Sequence, residues 1–162
     1  MLHFADEKTL DLAFESKVQQ VRNVPYRTMS RIRSLDHFVL RVRDLDRSLA
    51  FYHGLLGLRV EGLDEHRRAG RPFVSLRIGE ALLDLVPDAR YDGTHASSSE
   101  GGFLHFCVTL DDLDAAIGEL RAAGVDFVHD EPVPRGGARG IGRSIYARDP
   151  DGYIVELKEH ME

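Results

Sequence analysis

Across residues 35–42 apolar and polar positions alternate with the period of a half-buried strand. Asp44 then stands as a helix N-cap before an apolar stripe at Leu45, Leu49, Tyr52 and Leu56, and Gly54 and Gly57 close that helix. Residues 59–62, 73–78 and 81–86 read as three short strands, the last two joined by the tight Gly79-Glu80 turn. The order is βαβββ. A stretch crowded with Asp, Gly, Ser and Thr, 87–102, separates this unit from a second one. There, strand 103–110 precedes an N-cap at Asp112, a helix over 113–123, and Gly124 where a helix end calls for a left-handed residue. Strand 125–129, a Gly- and Pro-rich loop over 131–143, strand 144–148, the Asp149-Pro150-Asp151-Gly152 turn and strand 153–158 complete a second βαβββ. The expected fold is therefore α+β: two βαβββ modules whose eight strands form a cupped, incomplete-barrel mixed sheet with the helices outside.

The two modules also match in sequence. His37-Phe38-Val39-Leu40-Arg41-Val42-Arg43-Asp44-Leu45-Asp46 lines up without a gap against His105-Phe106-Cys107-Val108-Thr109-Leu110-Asp111-Asp112-Leu113-Asp114, an offset of 68 (105 − 37). Leu83-Asp84-Leu85 lines up with Val155-Glu156-Leu157 at an offset of 72 (156 − 84). Each module thus carries a histidine near its start and an acid in its last strand. Burying such groups unpaired is costly, roughly 2–7 kcal/mol for even a neutral polar group. Two copies packed about a pseudo-two-fold axis would gather two imidazoles and one or two carboxylates, a ligand set for a divalent metal. Strand periodicity places Val39 and Arg41 on the His37 face, Cys107 and Thr109 on the His105 face, and Ile154 and Lys158 with Glu156.

Residues 1–31 stand apart as an N-terminal extension. Leu10, Phe14, Val18 and Val21 recur at helical spacing, so an amphipathic helix is expected over 6–20, with Met29 as an alternative start. Its acids, Asp6, Glu7, Asp11 and Glu15, fit neither a secretory signal nor a transit peptide. The main domain runs over 32–160, with module one at 32–90 and module two at 103–160. A net charge of −6 disfavours nucleic acid. No run approaches the ~18 apolar residues of a membrane span. The single cysteine, Cys107, fits a reducing, cytoplasmic setting. It reads as a small buried residue rather than a nucleophile, for want of a basic neighbour in sequence. His53, His66, His95, His129 and His160 have no repeated counterpart and read as surface residues.

His37 ahead of Asp44-Leu45-Asp46-Arg47-Ser48-Leu49-Ala50-Phe51-Tyr52, then Leu55-Leu56-Gly57-Leu58, and later Asp149-Pro150-Asp151-Gly152-Tyr153-Ile154-Val155-Glu156-Leu157, resembles the vicinal oxygen chelate superfamily. That group includes glyoxalase I, extradiol dioxygenases, fosfomycin-resistance thiol transferases and bleomycin-binding proteins. The resemblance covers roughly 32–160, and Val133-Pro134-Arg135-Gly136-Gly137-Ala138-Arg139-Gly140 with Ser144-Ile145-Tyr146 is most similar to the short glyoxalase-domain-like proteins.

The resemblance implies a metal held by the first-strand histidine of each module and an acid of the last strand, positions matched by His37, His105 and Glu156. Glyoxalase I adds an acid, normally Glu, at the position of Asp84, which is one methylene shorter. Asp84 is then a ligand, directly or through water, or an ordinary acid on the cleft face. The implied cofactor is a divalent ion (Fe, Mn, Ni, Co or Zn), with Glu156 or Asp84 acting as base at a carbon beside a carbonyl and the ion stabilising the enediolate. Arg41 matches a position that contacts a substrate carboxylate, with a solvated strand-end arginine as the alternative, and Tyr146 is a further substrate-contact candidate. The loop over 132–143, bearing Arg135, Arg139 and Arg143, is expected to act as a lid or simply as a solvated hairpin loop. It is not a phosphate loop, because a strand follows it.

The expected function is a metal-dependent, glyoxalase-like lyase or isomerase acting on a small oxygen-chelating substrate, as a homodimer whose ligands come from one chain or two. Its rivals are an Fe(II) extradiol-type dioxygenase, for which two His and one carboxylate are the usual triad, and thiol transfer to an epoxide antibiotic, for which no potassium-binding Ser/Glu-rich loop is present. A non-catalytic small-molecule binding or resistance protein is the alternative from another class.

Overall fold

The computed structural model describes residues 33–94, 96–97 and 103–160. The helix expected over 6–20, Met29 and His95 lie outside them. Leu35–Glu162 forms one compact unit, built from β1 (His37–Val42), α1 (Leu45–Leu49) running into a π-helical turn (Ala50–Leu55), β2 (Arg59–Glu61), α2 (Leu63–Ala69), β3 (Val74–Ile78) and β4 (Ala81–Pro87). The second half supplies β5 (Phe106–Thr109), α3 (Leu113–Ala122), β6 (Val133–Gly137), β7 (Gly140–Arg148) and β8 (Ile154–His160).

The strands form two four-stranded mixed sheets and no closed barrel. Their orders are β1-β4-β3-β2 and β5-β8-β7-β6. In each the first pair is parallel and the rest antiparallel. The repeat seen in sequence is a repeat in register: Val39 lies opposite Asp84 and Cys107 opposite Glu156. Each histidine therefore sits two residues before the partner of its module's acid, on the same face.

Both helices after the first strand start as the pattern predicts. The Asp44 carboxylate accepts from Arg47 N at 3.1 Å, and the Asp112 carboxylate from Ala115 N at 2.8 Å. Both segments end at a left-handed glycine, Gly57 at φ 71° and Gly124 at φ 74°. The distance from cap to glycine differs by one, 13 positions in the first module (57 − 44) and 12 in the second (124 − 112). The first module takes up its extra residue in the π turn, where Leu56 N donates to Phe51 O, five residues back, at 3.0 Å. Phe51 and Tyr52, adjacent in sequence, are both buried there.

One face of each sheet enters a shared core. Leu40, Val42, Leu76, Leu83 and Leu85 of the first module meet Leu113, Ile117, Leu120, Val155 and Leu157 of the second. The Phe38 and Phe106 rings lie 4.9 Å apart across the seam. Polar pins reinforce it. Tyr52 Oη donates to Asp149 Oδ2 at 2.8 Å, Arg43 N donates to the Asp151 carboxylate at 3.1 Å, and Tyr153 Oη donates to Arg41 O at 3.1 Å. The Asp149-Pro150-Asp151-Gly152 turn is thus a clasp on the first module. Among the described residues no helix is long and apolar enough to cross a membrane.

Three local expectations change. The stretch 125–129 is not a strand: it makes one isolated bridge, Phe127 to Ala147, and Val125 and Phe127 serve mainly to pack on the core. The fourth strand of the second sheet comes instead from 131–143, read from sequence as a loop, which forms the β6-β7 hairpin turning at Ala138-Arg139. Its glycines meet a steric demand. A Cβ at Gly142 would lie 2.4 Å from Glu159 O, and one at Gly137 would lie 3.0 Å from Lys158 Cε. The helix α2 was not expected, because none of its residues is buried and it carries no apolar stripe. Its signature is electrostatic, with Asp64 and Glu65 in the first turn and His66, Arg67 and Arg68 in the last.

Candidate functional site

Each sheet turns its other face outward, and the candidate site residues lie there. In the first module, β1 alternates exposed His37, Val39 and Arg41 with inward-pointing neighbours. The His37 ring Nδ1 lies 2.7 Å from Asp36 Oδ1. That hydrogen bond raises the His37 pKa above the ordinary histidine value, and the Asp84 charge pushes the same way. Asp84 on β4 is buried, and its Oδ1 accepts from Ser75 Oγ, opposite it on β3, at 2.6 Å. The Ser75 hydroxyl in turn accepts from Arg71 Nη2 at 2.9 Å, and the Arg71 guanidinium sits over the Phe73 ring, 4.1 Å from its centroid. Arg41 is exposed and pairs loosely with Asp88 at 3.7 Å.

In the second module the histidine and the acid touch. His105 Nε2 lies 3.0 Å from Glu156 Oε2. Glu156 is 5% exposed and Lys158, next on the same face of β8, is 2% exposed. Lys158 Nζ donates to Ser144 Oγ at 2.8 Å and to Arg135 O at 3.0 Å, and lies 3.2 Å from Glu156 Oε1. That approach is an ion pair, and Oε1 accepts no well-aligned hydrogen bond among the described residues. Burial is the largest single influence on the Glu156 carboxyl and pushes it up. The polar Ser144 hydroxyl and the charges of Lys158 and His105 nonetheless hold it below the ordinary range. Cys107, expected to be buried, is exposed at the cavity; its thiol is still pushed up to about 11 by partial desolvation and by the Glu156 charge, so it is a poor nucleophile.

Tyr146 stands opposite Glu156 on β7, edge-on to His105 at 5.3 Å and to His129 at 5.4 Å. Its hydroxyl pKa is raised, first by burial and then by Glu156. A cavity of about 590 Å³ opens over this face, floored by His105, Cys107, Glu156, Lys158 and His160 and walled by the hairpin tip, 136–139. Arg139 lines it, whereas Arg143 is committed to Asp114 and Glu159 on the surface.

The structure therefore brings together His105, Glu156 and Tyr146, and places His37, Asp84 and Arg41 on the other sheet. Among the described residues no three His, Cys, Asp or Glu side chains are grouped so as to hold an ion. Each module offers a pair of donors, imidazole and carboxylate, of the kind that divalent Mn, Fe, Co, Ni or Zn accepts. The buried Glu156 Oε1 accepts no hydrogen bond among the described residues, which leaves a lone pair free for a metal ion beside the Lys158 ion pair.

Two histidines read as surface residues prove otherwise. His160 lines the cavity with Nδ1 buried and unpartnered, and His129 packs on Tyr146 with Nε2 buried and unpartnered among the described residues. Strand period two from Glu156 points to His160 as it does to Lys158. No sequence signal marks His129, Ser75 or Arg71.

A family model, Glyoxalase/Bleomycin resistance protein/Dioxygenase superfamily, matches residues 34–157. The lactoylglutathione lyase of Pseudomonas aeruginosa is 34% identical over 146 residues, covering 75% of this chain and 80% of that protein. The probable lactoylglutathione lyase of Vibrio cholerae is 32% identical over 128 residues, covering 78% of this chain and 90% of that one. Among solved structures, an integron cassette protein from the mobile metagenome of Vibrio cholerae superposes with a TM-score of 0.63 at 26% identity, covering 82% of this chain and 99% of that one. With the doubled βαβββ module, the His and acid in matching register and the match over 34–157, the chain belongs to the glyoxalase, bleomycin resistance protein and dioxygenase superfamily.

Proposed function

We propose that this chain is a divalent-metal-dependent, glyoxalase-like lyase acting on a small substrate with vicinal oxygens. The observation that carries the reading is the equivalence of the two donor pairs: His37 with Asp84 and His105 with Glu156 occupy the same register on the outward faces of two repeated sheets. The names of the relatives support a thioester such as S-lactoylglutathione as the first substrate to try.

A divalent ion held by these residues would act as a Lewis acid toward substrate oxygens. The chain's own contribution centres on Glu156. The charges of Lys158 and His105 favour its ionised form, the form in which a carboxylate takes a proton from carbon beside a carbonyl. The hairpin tip walls the cavity over that carboxylate, Tyr146 stands opposite it on β7, and Arg41 and Arg139 are the cations open to an anionic part of the substrate. Because each chain presents pairs of donors, the working unit is a homodimer in which His37 and Asp84 of one chain meet His105 and Glu156 of the other.

The deciding experiment is elemental mass spectrometry on protein purified without added metal, beside a His37→Ala/His105→Ala double variant, followed by assay on S-lactoylglutathione. Stoichiometric metal lost in the variant, with turnover, is the expected result. Wild-type protein that neither retains nor takes up a divalent ion would overturn the reading in favour of a binding protein.

A further inference from the structure

Lys158 is a charged side chain almost wholly removed from water, and the hairpin is shaped around it. Its stem runs past two glycines, Gly137, where a Cβ would come within 3.0 Å of Lys158 Cε, and Gly142, where one would lie 3.3 Å from Lys158 Cγ. Its ammonium finds three partners: the Ser144 hydroxyl on β7, the Arg135 carbonyl on β6 and Glu156 Oε1 on its own strand. An ammonium has three N–H bonds. Two of them are taken by Ser144 and Arg135, and the charge is paired with Glu156 at 3.2 Å, so a role as an anion-binding or amine-reactive group does not suit Lys158.

Its effect falls on Glu156. One carboxylate oxygen faces His105 and the other faces Lys158. The first module has no counterpart: Asp84 is held by a neutral hydroxyl, Ser75 Oγ. A cation fixed beside a carboxylate does two things. It compensates a buried negative charge when no other cation is present. It also repels any second cation that comes to the same carboxylate.

We propose that Lys158 is a built-in counter-cation for Glu156: it holds Oε1 while Oε2 faces His105, so the pocket stays folded without a divalent ion and binds such an ion less tightly than the bare carboxylate would. The inference rests on Glu156 being a metal ligand, and it makes Lys158 a positioning residue and a brake on metal affinity rather than a catalytic residue.

The test has a metal-free arm and a Co(II) arm. In chelator, thermal unfolding is compared for wild type, Lys158→Met, Glu156→Gln and the double variant. Each single change strands a buried charge and is expected to lower Tm by roughly 10 °C, and the double variant to regain more than half of that loss. Additive losses would overturn the proposal. In the second arm Co(II) is titrated and followed by its visible absorption, with Lys158→Met expected to bind at least ~10-fold more tightly than wild type. If Lys158→Met does not fold in chelator, its refolding on addition of Co(II) supports the same conclusion. Equal or weaker binding by that variant would overturn the brake while leaving the metal reading intact. Absence of binding by wild type and variant alike would overturn both.

Discussion

The two modules share a fold, a register and a core, yet they hold their histidine and acid in opposite ways. In the first, His37 is turned to Asp36 and Asp84 to Ser75, so each has a private partner. In the second, His105 and Glu156 face each other, with Lys158 behind the carboxylate. The same backbone positions thus give one loosely held donor pair and one pre-assembled pair. The difference lies in the residues that flank the repeat, and on the proposed function the second sheet would carry the heavier share of the chemistry.

The sharpest way to break this comparison is to neutralise the two acids one at a time. On the proposed function Glu156→Gln would remove both base and ligand and is expected to lower kcat/KM about 1,000-fold, whereas Asp84→Asn should cost about 10-fold to 100-fold, in the range of a supporting group. Equal losses measured by steady-state kinetics would show that the modules contribute alike. A smaller effect, on stability rather than rate, tests what the modules share. Tyr52→Phe leaves Asp149 Oδ2 buried without its donor and is expected to cost about 1–3 kcal/mol. Urea denaturation followed by both near- and far-UV signals should show one transition moved as a whole, since the seam belongs to both sheets.

The pH dependence of that seam follows from Asp149. Burial, only partly offset by the Tyr52 hydroxyl and two backbone N–H groups, raises its carboxyl to about 6. The folded state therefore holds the proton more tightly than the unfolded chain does. The stability from this group is complete below about pH 4 and is lost as pH rises through about 6. The stability difference between wild type and Asp149→Asn is expected to fall by roughly 2 kcal/mol between pH 4 and 7, and a flat difference in urea titrations would refute the assignment. Last, equal amounts of His37→Ala and Glu156→Gln protein, exchanged into mixed dimers, should recover about one quarter of wild-type metal content. Half the dimers are then mixed and each has one of its two sites intact. Ligation within a single chain predicts no recovery.

Much of this was legible in the residues. Period-two alternation, aspartate caps and left-handed glycines are local rules, and they placed β1, α1, β5 and α3 closely. The repeat carried His37, His105, Asp84 and Glu156 to equivalent register positions without any distance being known. What escaped was decided by contacts between distant parts of the chain. The β6-β7 hairpin looked like a loop, because its glycines Gly137 and Gly142 answer to Lys158 and Glu159, which lie some twenty residues further on. The helix α2 has no buried face to give it a period. The burial of His160 and His129 depends on the cavity wall and on Tyr146, neither of which leaves a trace in the spacing.

The π turn at Ala50–Leu55 bears on ancestry. Two copies descended from one duplicated segment should count the same number of residues between cap aspartate and closing glycine, and these differ by one. A wide turn is how a helix absorbs a single inserted residue without moving either end. An insertion in the first module and a deletion in the second account for that difference equally; either way the wide turn sets Phe51 and Tyr52 side by side, and Tyr52 reaches Asp149 of the other half.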